Sequence, residues 1–377
     1  MFHLRSLKLT FLVLVLFAGI AGAQPRKALW LELDTFANSS NLINELIEQE
    51  INHLFLSVQA NKLNGSGFSK DLNNNGQLDK IDGENAWAEF SPLGYAVDLN
   101  GDGDMTDRLI PPALPSGFSE ASLGVDLDCD GKLKSFITTA INEEGPCTLY
   151  DARYENELAS FIALAKRHKI EVHAMVLEDP GFSLAQEHSG ALLTIRNIIS
   201  FNQKHPDSSF FGLHIDTEPH KLELWKKRPG DDAPQTWEGR ELLMQDYVLL
   251  LSQIRSYLND FESRLEFSGA IAWWYNERAQ RGTLPSGSAT VLSSYLDVLV
   301  PMVYFDTQVN DLSFAETTIF NRSIDELQSA NTIIGINLDE FKSYSPATLE
   351  QFIKNLNRRY ETQTTYKGIS LFSLENF

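Results

Sequence analysis

Eight short apolar runs, most of them separated by stretches of helical periodicity, constrain this chain more than any other feature. The runs cover 28–33, 54–59, 171–178, 210–218, 265–275, 296–306, 332–339 and 367–374, and each reads as a β-strand. Helical patterns fall at 42–51, 156–168, 191–203, 240–261, 324–330 and 346–360, the last with Ser345 as N-cap. Strands that alternate with helices make parallel units, and eight of them close on themselves as an α/β (β/α)8 TIM barrel. An open doubly wound sheet would carry a Gly-rich phosphate turn after an early strand, and no such turn is present.

The barrel is expected over 24–377. Residues 1–23 read as an export signal: Arg5 and Lys8 precede an apolar run at 9–17, and Ala21-Gly22-Ala23 supplies the small residues of a cleavage site. That run is too short to span a membrane, and no later segment is long and apolar enough to do so. A periplasmic or extracellular monomer is expected, with no transmembrane segment in the mature chain. The net charge of −20 repels a phosphate backbone and so excludes nucleic acid as a partner.

The charge is concentrated in an insertion at about 60–150, in the β2–α2 loop of the barrel. Within 71–130, thirteen acids stand against Lys80 and Arg108, more than half of the excess. Three segments there share one spacing. Asp71, Asn73 and Asn75 precede Gly76, with Asp79 and Asp82 following; Asp98, Asn100 and Asp102 precede Gly103 and Asp104; Asp126, Asp128 and Asp130 precede Gly131. Oxygen side chains at places 1, 3 and 5, followed by a glycine that permits the sharp turn, form the front half of an EF-hand-like Ca²⁺ loop. The twelfth places hold Asp82, Leu109 and Ile137 instead of the bidentate Glu of a sensor loop. Up to three structural calcium ions are therefore expected, ordering a segment with little apolar core of its own. Cys129 and Cys147 are close enough in sequence to close a short disulfide loop in an exported chain.

The run at 210–218 ends in two acids and is stopped by Pro219. Residues two apart on a strand share a face, so His214, Asp216 and Glu218 project together. Counted as the fourth strand, this run delivers Glu218 to the face where barrels of this kind keep their active sites. Other strand ends offer companions: Glu32 and Asp34, Glu178, Tyr304 with Asp306, Asn337 with Asp339 and Glu340, and Glu375. Trp273, Trp274, Tyr275 and Asn276 close the fifth strand, where exposed aromatic faces would suit sugar rings. His173 and His214 read as core or supporting histidines rather than metal ligands. The first strand reads Leu31-Glu32-Leu33-Asp34, without the His-x-His of a metal-dependent barrel hydrolase.

Glycoside hydrolysis needs one carboxyl kept protonated as an acid and a second group at the anomeric carbon. Glu218 at the tip suits the acid, and Asp216, one step deeper, can share its proton and raise it by like-charge repulsion. Gly212, Asp216 and Glu218 match the strand-four signature Asp-Gly-x-Asp-x-Asp-x-Glu of the family 18 (chitinase-like) glycoside hydrolases, with Phe211 and His214 where its first two aspartates would stand. Met302-Val-Tyr304-Phe-Asp306 is similar to that family's Met-x-Tyr-Asp, with one residue inserted. The barrel portion thus resembles a glycoside-hydrolase-like TIM barrel. The resemblance implies a carbohydrate substrate, Glu218 as acid, Asp216 as its partner and Tyr304 as a substrate holder. Thr217-Glu218-Pro219 also resembles the Asn-Glu-Pro of retaining barrels that work with two carboxylates, which would make Glu340 the nucleophile. A carbohydrate-binding barrel without catalysis is the remaining alternative.

Overall fold

The computed structural model describes residues 25–63 and 152–372, apart from 34, 35, 37, 38, 229, 231, 232, 262 and 306, together with two short antiparallel strand pairs, Ser69–Lys70 with Asp79–Lys80 and Gly124–Val125 with Lys134–Ser135. Eight strands form the barrel: β1 (Arg26–Leu31), β2 (His53–Ser57), β3 (Glu171–Val176), β4 (Gly212–Ile215), β5 (Glu266–Ala272), β6 (Val298–Met302), β7 (Thr332–Asn337) and β8 (Tyr366–Phe372). Every neighbouring pair is parallel, and β8 pairs with β1 to close the ring. Among the described residues, seven helices of seven residues or more connect them: α1 (Ser39–Glu48), α2 (Ala152–Arg167), α3 (His188–Lys204), α4 (Trp237–Asp260), α5 (Trp274–Gln280), α6 (Leu312–Ser329) and α7 (Pro346–Tyr360), with two single-turn helices at Glu223–Lys226 and Ala289–Leu292. The (β/α)8 barrel expected from the alternation is the observed architecture.

Alternation along each strand sorts the side chains into two cores. Leu54, Leu56, Val172, Leu213, Ile215, Phe267, Leu299 and Ile334 belong to a large core shared with helix residues such as Ile43, Leu158, Ile195, Leu250 and Leu356. Ala28, Trp30, Phe55, Met175, Ala270, Val298, Val300, Met302 and Ile333 form a second core in the lumen. Three fully buried histidines, His53, His173 and His214, share that lumen. Its amino-terminal mouth is closed by charge: Arg26 contacts Glu266 at 2.6 Å and Glu171 at 3.2 Å, and His53 Nδ1 lies 3.3 Å from Glu171.

Several strands stop earlier than their apolar runs. The fourth run spans 210–218, yet the ladder covers only Gly212–Ile215; the sixth spans 296–306, and the ladder covers Val298–Met302. Residues beyond the ladders stay apolar because they remain enclosed, as Val303 and Phe341 do, both fully buried. An apolar run reports burial, whereas pairing ends where the chain must turn toward its helix. The fifth run shows the largest correction: Trp274, Tyr275 and Asn276 lie in α5, with Trp273 as its N-cap. The helix expected at 324–330 begins much earlier, at Leu312, because Asp311 accepts from the Ser313 and Phe314 backbone N–H groups. Buried Ala315, Ile319, Ser323 and Leu327 then repeat every four residues along one face. Ser345 caps α7 as expected, accepting from the Thr348 N–H with Pro346 at the first helical position.

Candidate active site

The carboxyl-terminal ends of β3, β4, β6 and β7 supply the site. After Ile215 the chain leaves the sheet: the Thr217 hydroxyl donates to Leu177 O at 2.6 Å, and Pro219 opens a single 3₁₀ turn, Pro219–Lys221. Leu177 itself sits at φ 56°, a left-handed conformation costly for a branched residue, and it turns β3 out toward Glu178. Asp216 and Glu218 therefore stand on a short pinned segment between the strand and that turn.

Burial, then the charge of Glu218, holds the Asp216 carboxyl well above the usual carboxylate range; Glu178 adds to this and Lys221 opposes it. Asp216 Oδ1 is buried without a hydrogen-bond partner. Burial also raises Glu218, whose side chain is 7% exposed, while contact with the Lys221 ammonium pulls it back down. His220 Nε2 lies 3.4 Å from Glu218 Oε2, and its Nδ1 lies 2.9 Å from the Tyr275 hydroxyl. Glu178 is raised by burial, with Glu32 adding to the effect; the Ser57 hydroxyl donates to its Oε1 at 2.7 Å and lowers it.

Tyrosines line the same space. Burial pushes the Tyr304 hydroxyl well up, and the charges of Asp216, Glu218 and Glu340 push it further. Tyr247, fully buried on α4, is raised by burial and then by Asp216 and Glu218. Tyr304 stacks on Phe372 at the end of β8, with ring centres 6.2 Å apart, and its carbonyl accepts from the Arg322 guanidinium at 2.6 Å. Glu340 Oε1 accepts from the Phe305 backbone N–H at 2.8 Å, which anchors the segment carrying Tyr304. Two protonated hydroxyls and two coupled carboxyls, both raised by burial, can deliver a proton and steady charge on a bound polar ligand.

The structure thus brings together Asp216, Glu218, Tyr304, Glu340 and Glu178. His214 is elsewhere in function: it is fully enclosed and stacked on Phe55 at 4.0 Å, so it packs the lumen instead of meeting a ligand. Tyr275 is bound to His220, and Asn276 Oδ1 accepts from the Ala289 N–H at 3.0 Å, so both are engaged in holding local structure. Trp273 lies under the Arg322 guanidinium, 4.1 Å from Cζ to ring centre, and Trp274 packs edge-on to His220. Asn337 Oδ1 accepts from the Asp339 N–H at 2.9 Å and shapes the turn leading to Glu340. Asp306, Glu375, Cys129, Cys147 and all the proposed calcium ligands except Asp79 lie outside the described residues; Asp79 pairs with Lys70 in a short antiparallel ladder. Among the described residues no cluster of three His, Cys, Asp or Glu is placed to hold a metal ion, and no helix is long and apolar enough to cross a membrane.

Sequence reasoning missed His220, Lys221, Tyr247 and Arg322. His220 and Lys221 directly follow Pro219, so their nearness to Glu218 was visible; the helical positions of Tyr247 and Arg322 carry no local signal.

No family model matches the sequence, and no curated protein matches it. Among solved structures, the chain is similar to a chitinase from Chromobacterium violaceum, with 10% identity, 92% of this chain and 94% of that chain covered, and a TM-score of 0.44. A GH18 chitinase from Pseudoalteromonas aurantia aligns at 12% identity over 92% of this chain and 94% of that one, with a TM-score of 0.45. The spore cortex-lytic enzyme of Bacillus megaterium aligns at 11% identity over 93% of this chain and 72% of that one, also with a TM-score of 0.45. The chain is a TIM barrel by its own closed ring of eight parallel strands.

Proposed function

We propose that this chain is an exported glycoside hydrolase acting on a poly- or oligosaccharide. The observation that carries the reading is the coupled pair after β4: the Asp216 carboxyl is held well above the usual carboxylate range by burial and by Glu218, two residues on and itself buried. One proton shared between them can be passed to the leaving oxygen of a glycosidic bond by Glu218. Tyr304, kept protonated beside both, is a donor for charge that develops on the substrate. Glu340 as a nucleophile is the less favoured route, because its Oε1 already accepts from the Phe305 N–H. Calcium in the Asp/Asn loops of the insertion would order that segment and take no part in catalysis.

The test is a hydrolysis screen over soluble glycans with Ca²⁺ present, comparing the wild type with Glu218→Gln and Asp216→Asn. Loss of about 10² or more in turnover for Glu218→Gln is expected. Turnover that survives Glu218→Gln undiminished rules out Glu218 as the acid. Glycan binding by the wild type without any cleavage would identify a carbohydrate-binding barrel instead.

A further inference from the structure

The turn that follows Glu218 folds back onto it. Lys221 Nζ contacts Glu218 Oε1 and His220 Nε2 lies 3.4 Å from Oε2, so both oxygens of one buried carboxyl are met by the residues two and three places further on. The turn is locally stiff: Pro219 opens it, and the Lys221 N–H donates to Glu218 O at 2.9 Å. We infer that His220 and Lys221 are positioning residues that keep Glu218 ionised in the unliganded protein, Lys221 acting as a latch that must leave before Glu218 can serve as an acid. This rests on the glycosidase reading for its consequence, though the latch itself is a property of the free protein.

The two partners differ in kind. The His220 side chain is 22% exposed and held by the Tyr275 hydroxyl, and its ring packs edge-on to Trp274 and Tyr275. The Tyr275 hydroxyl, 2.9 Å from His220 Nδ1, can donate its proton to that nitrogen. The proton of the neutral imidazole then sits on Nε2, the nitrogen that faces Glu218. Burial, with Lys221 adding, lowers His220 to about 4, so the ring is neutral across the ordinary pH range and donates only through that one N–H. The Lys221 side chain, by contrast, is 60% exposed and reaches Glu218 from the solvent side.

The remaining ionisable groups around Glu218 cannot replace the ammonium. Asp216 shares its strand end; Tyr247 from α4, Tyr275 from α5 and Tyr304 from the end of β6 all have hydroxyls raised by burial and are neutral. Glu178 and Glu340, which act on Asp216 and Tyr304, would add negative charge. While Lys221 is in place, the single proton of the Asp216–Glu218 pair sits on Asp216. Once a ligand group displaces the ammonium, the Asp216 O–H bond breaks and a Glu218 O–H bond forms, so the pair keeps one proton throughout.

The test follows the carboxyl stretch of Glu218 by infrared difference spectroscopy during a pH titration of the free protein, the band being assigned by its loss in Glu218→Gln. In Lys221→Met the Glu218 midpoint is expected to rise by about one pH unit or more, a tenfold gain in proton affinity, and Lys221→Arg should restore it. Lys221→Gln serves as a second neutral variant, and an unchanged melting temperature shows that each is folded. If a cleavable glycan is in hand, the alkaline limb of kcat/KM should move up by the same amount. A midpoint within about 0.3 unit of wild type in both neutral variants overturns the latch. Failure to find any cleaved glycan sinks the hydrolase reading alone, since the titration needs no substrate.

Discussion

His214 Nδ1 lies 2.9 Å from the Ser268 hydroxyl, which is also 3.3 Å from His173 Nδ1. One serine of β5 thus serves two histidines buried in the barrel lumen, and the upper one is two residues from Asp216. The polar column below the carboxyl pair is part of what holds that strand end in place.

Ser268→Ala removes the hydroxyl that meets His214 Nδ1 and loosens His173 as well. A loss of about 1–3 kcal/mol is expected, the usual cost of a buried polar group left unmatched. Urea unfolding of the two proteins measures it directly.

Acid should act on the fold through its buried histidines. Burial lowers His53, His173 and His214, the last to about 3 against an ordinary 6.5. At these histidines the unfolded chain therefore binds more protons than the native one between those values, and the stability they contribute falls as pH drops below 6.5. His214 alone would cost on the order of 3 kcal/mol at pH 4. The raised carboxyls of Asp216, Glu218, Glu178 and Glu326 act in the opposite direction as pH falls, so the histidine contribution is read by difference. Between pH 6.5 and 4 the melting temperature of His214→Gln should fall less than that of wild type, and equal falls would contradict a neutral His214.

Gly212 makes room for that column. A Cβ added there would lie 2.3 Å from His173 Cε1 and 2.6 Å from the Glu266 carbonyl oxygen, and the second contact is with backbone that cannot swing away. Gly212→Ala should destabilise by roughly 1–3 kcal/mol or more, read as a lowered midpoint in thermal melting.

Tyr304→Phe and Glu340→Gln separate two catalytic readings. Removing the Tyr304 hydroxyl should reduce turnover by about 10–10²-fold with little effect on stability. Glu340→Gln keeps an acceptor for the Phe305 N–H, so the fold should persist. A drop of less than about tenfold is expected if Glu340 only anchors that segment, whereas loss of about 10³ or more would favour it as the nucleophile.

Metal removal tests the insertion. Excess EDTA should lower the melting temperature by several degrees, and added Ca²⁺, not Mg²⁺, should restore it, because the spacing offers more oxygens than a small octahedral ion accepts. An identical melting curve with and without chelator would remove calcium from the account.

By itself the sequence determined the barrel, the cap of α7 and the place of Asp216 and Glu218 at the carboxyl end of the fourth run. Those features are written locally, in apolar runs, a Ser-Pro helix start and a proline stop. Tertiary structure decided where each ladder ends, that Trp274, Tyr275 and Asn276 lie in a helix, and that His214 is packing. It also decided the surroundings of Glu218: His220 meets Tyr275 across 55 positions, and Glu340 reaches the Phe305 backbone across 35. Protonation states follow burial and such distant contacts, neither of which a local pattern records. That is why the carboxyl pair was legible in the sequence while the groups that set its charge were not.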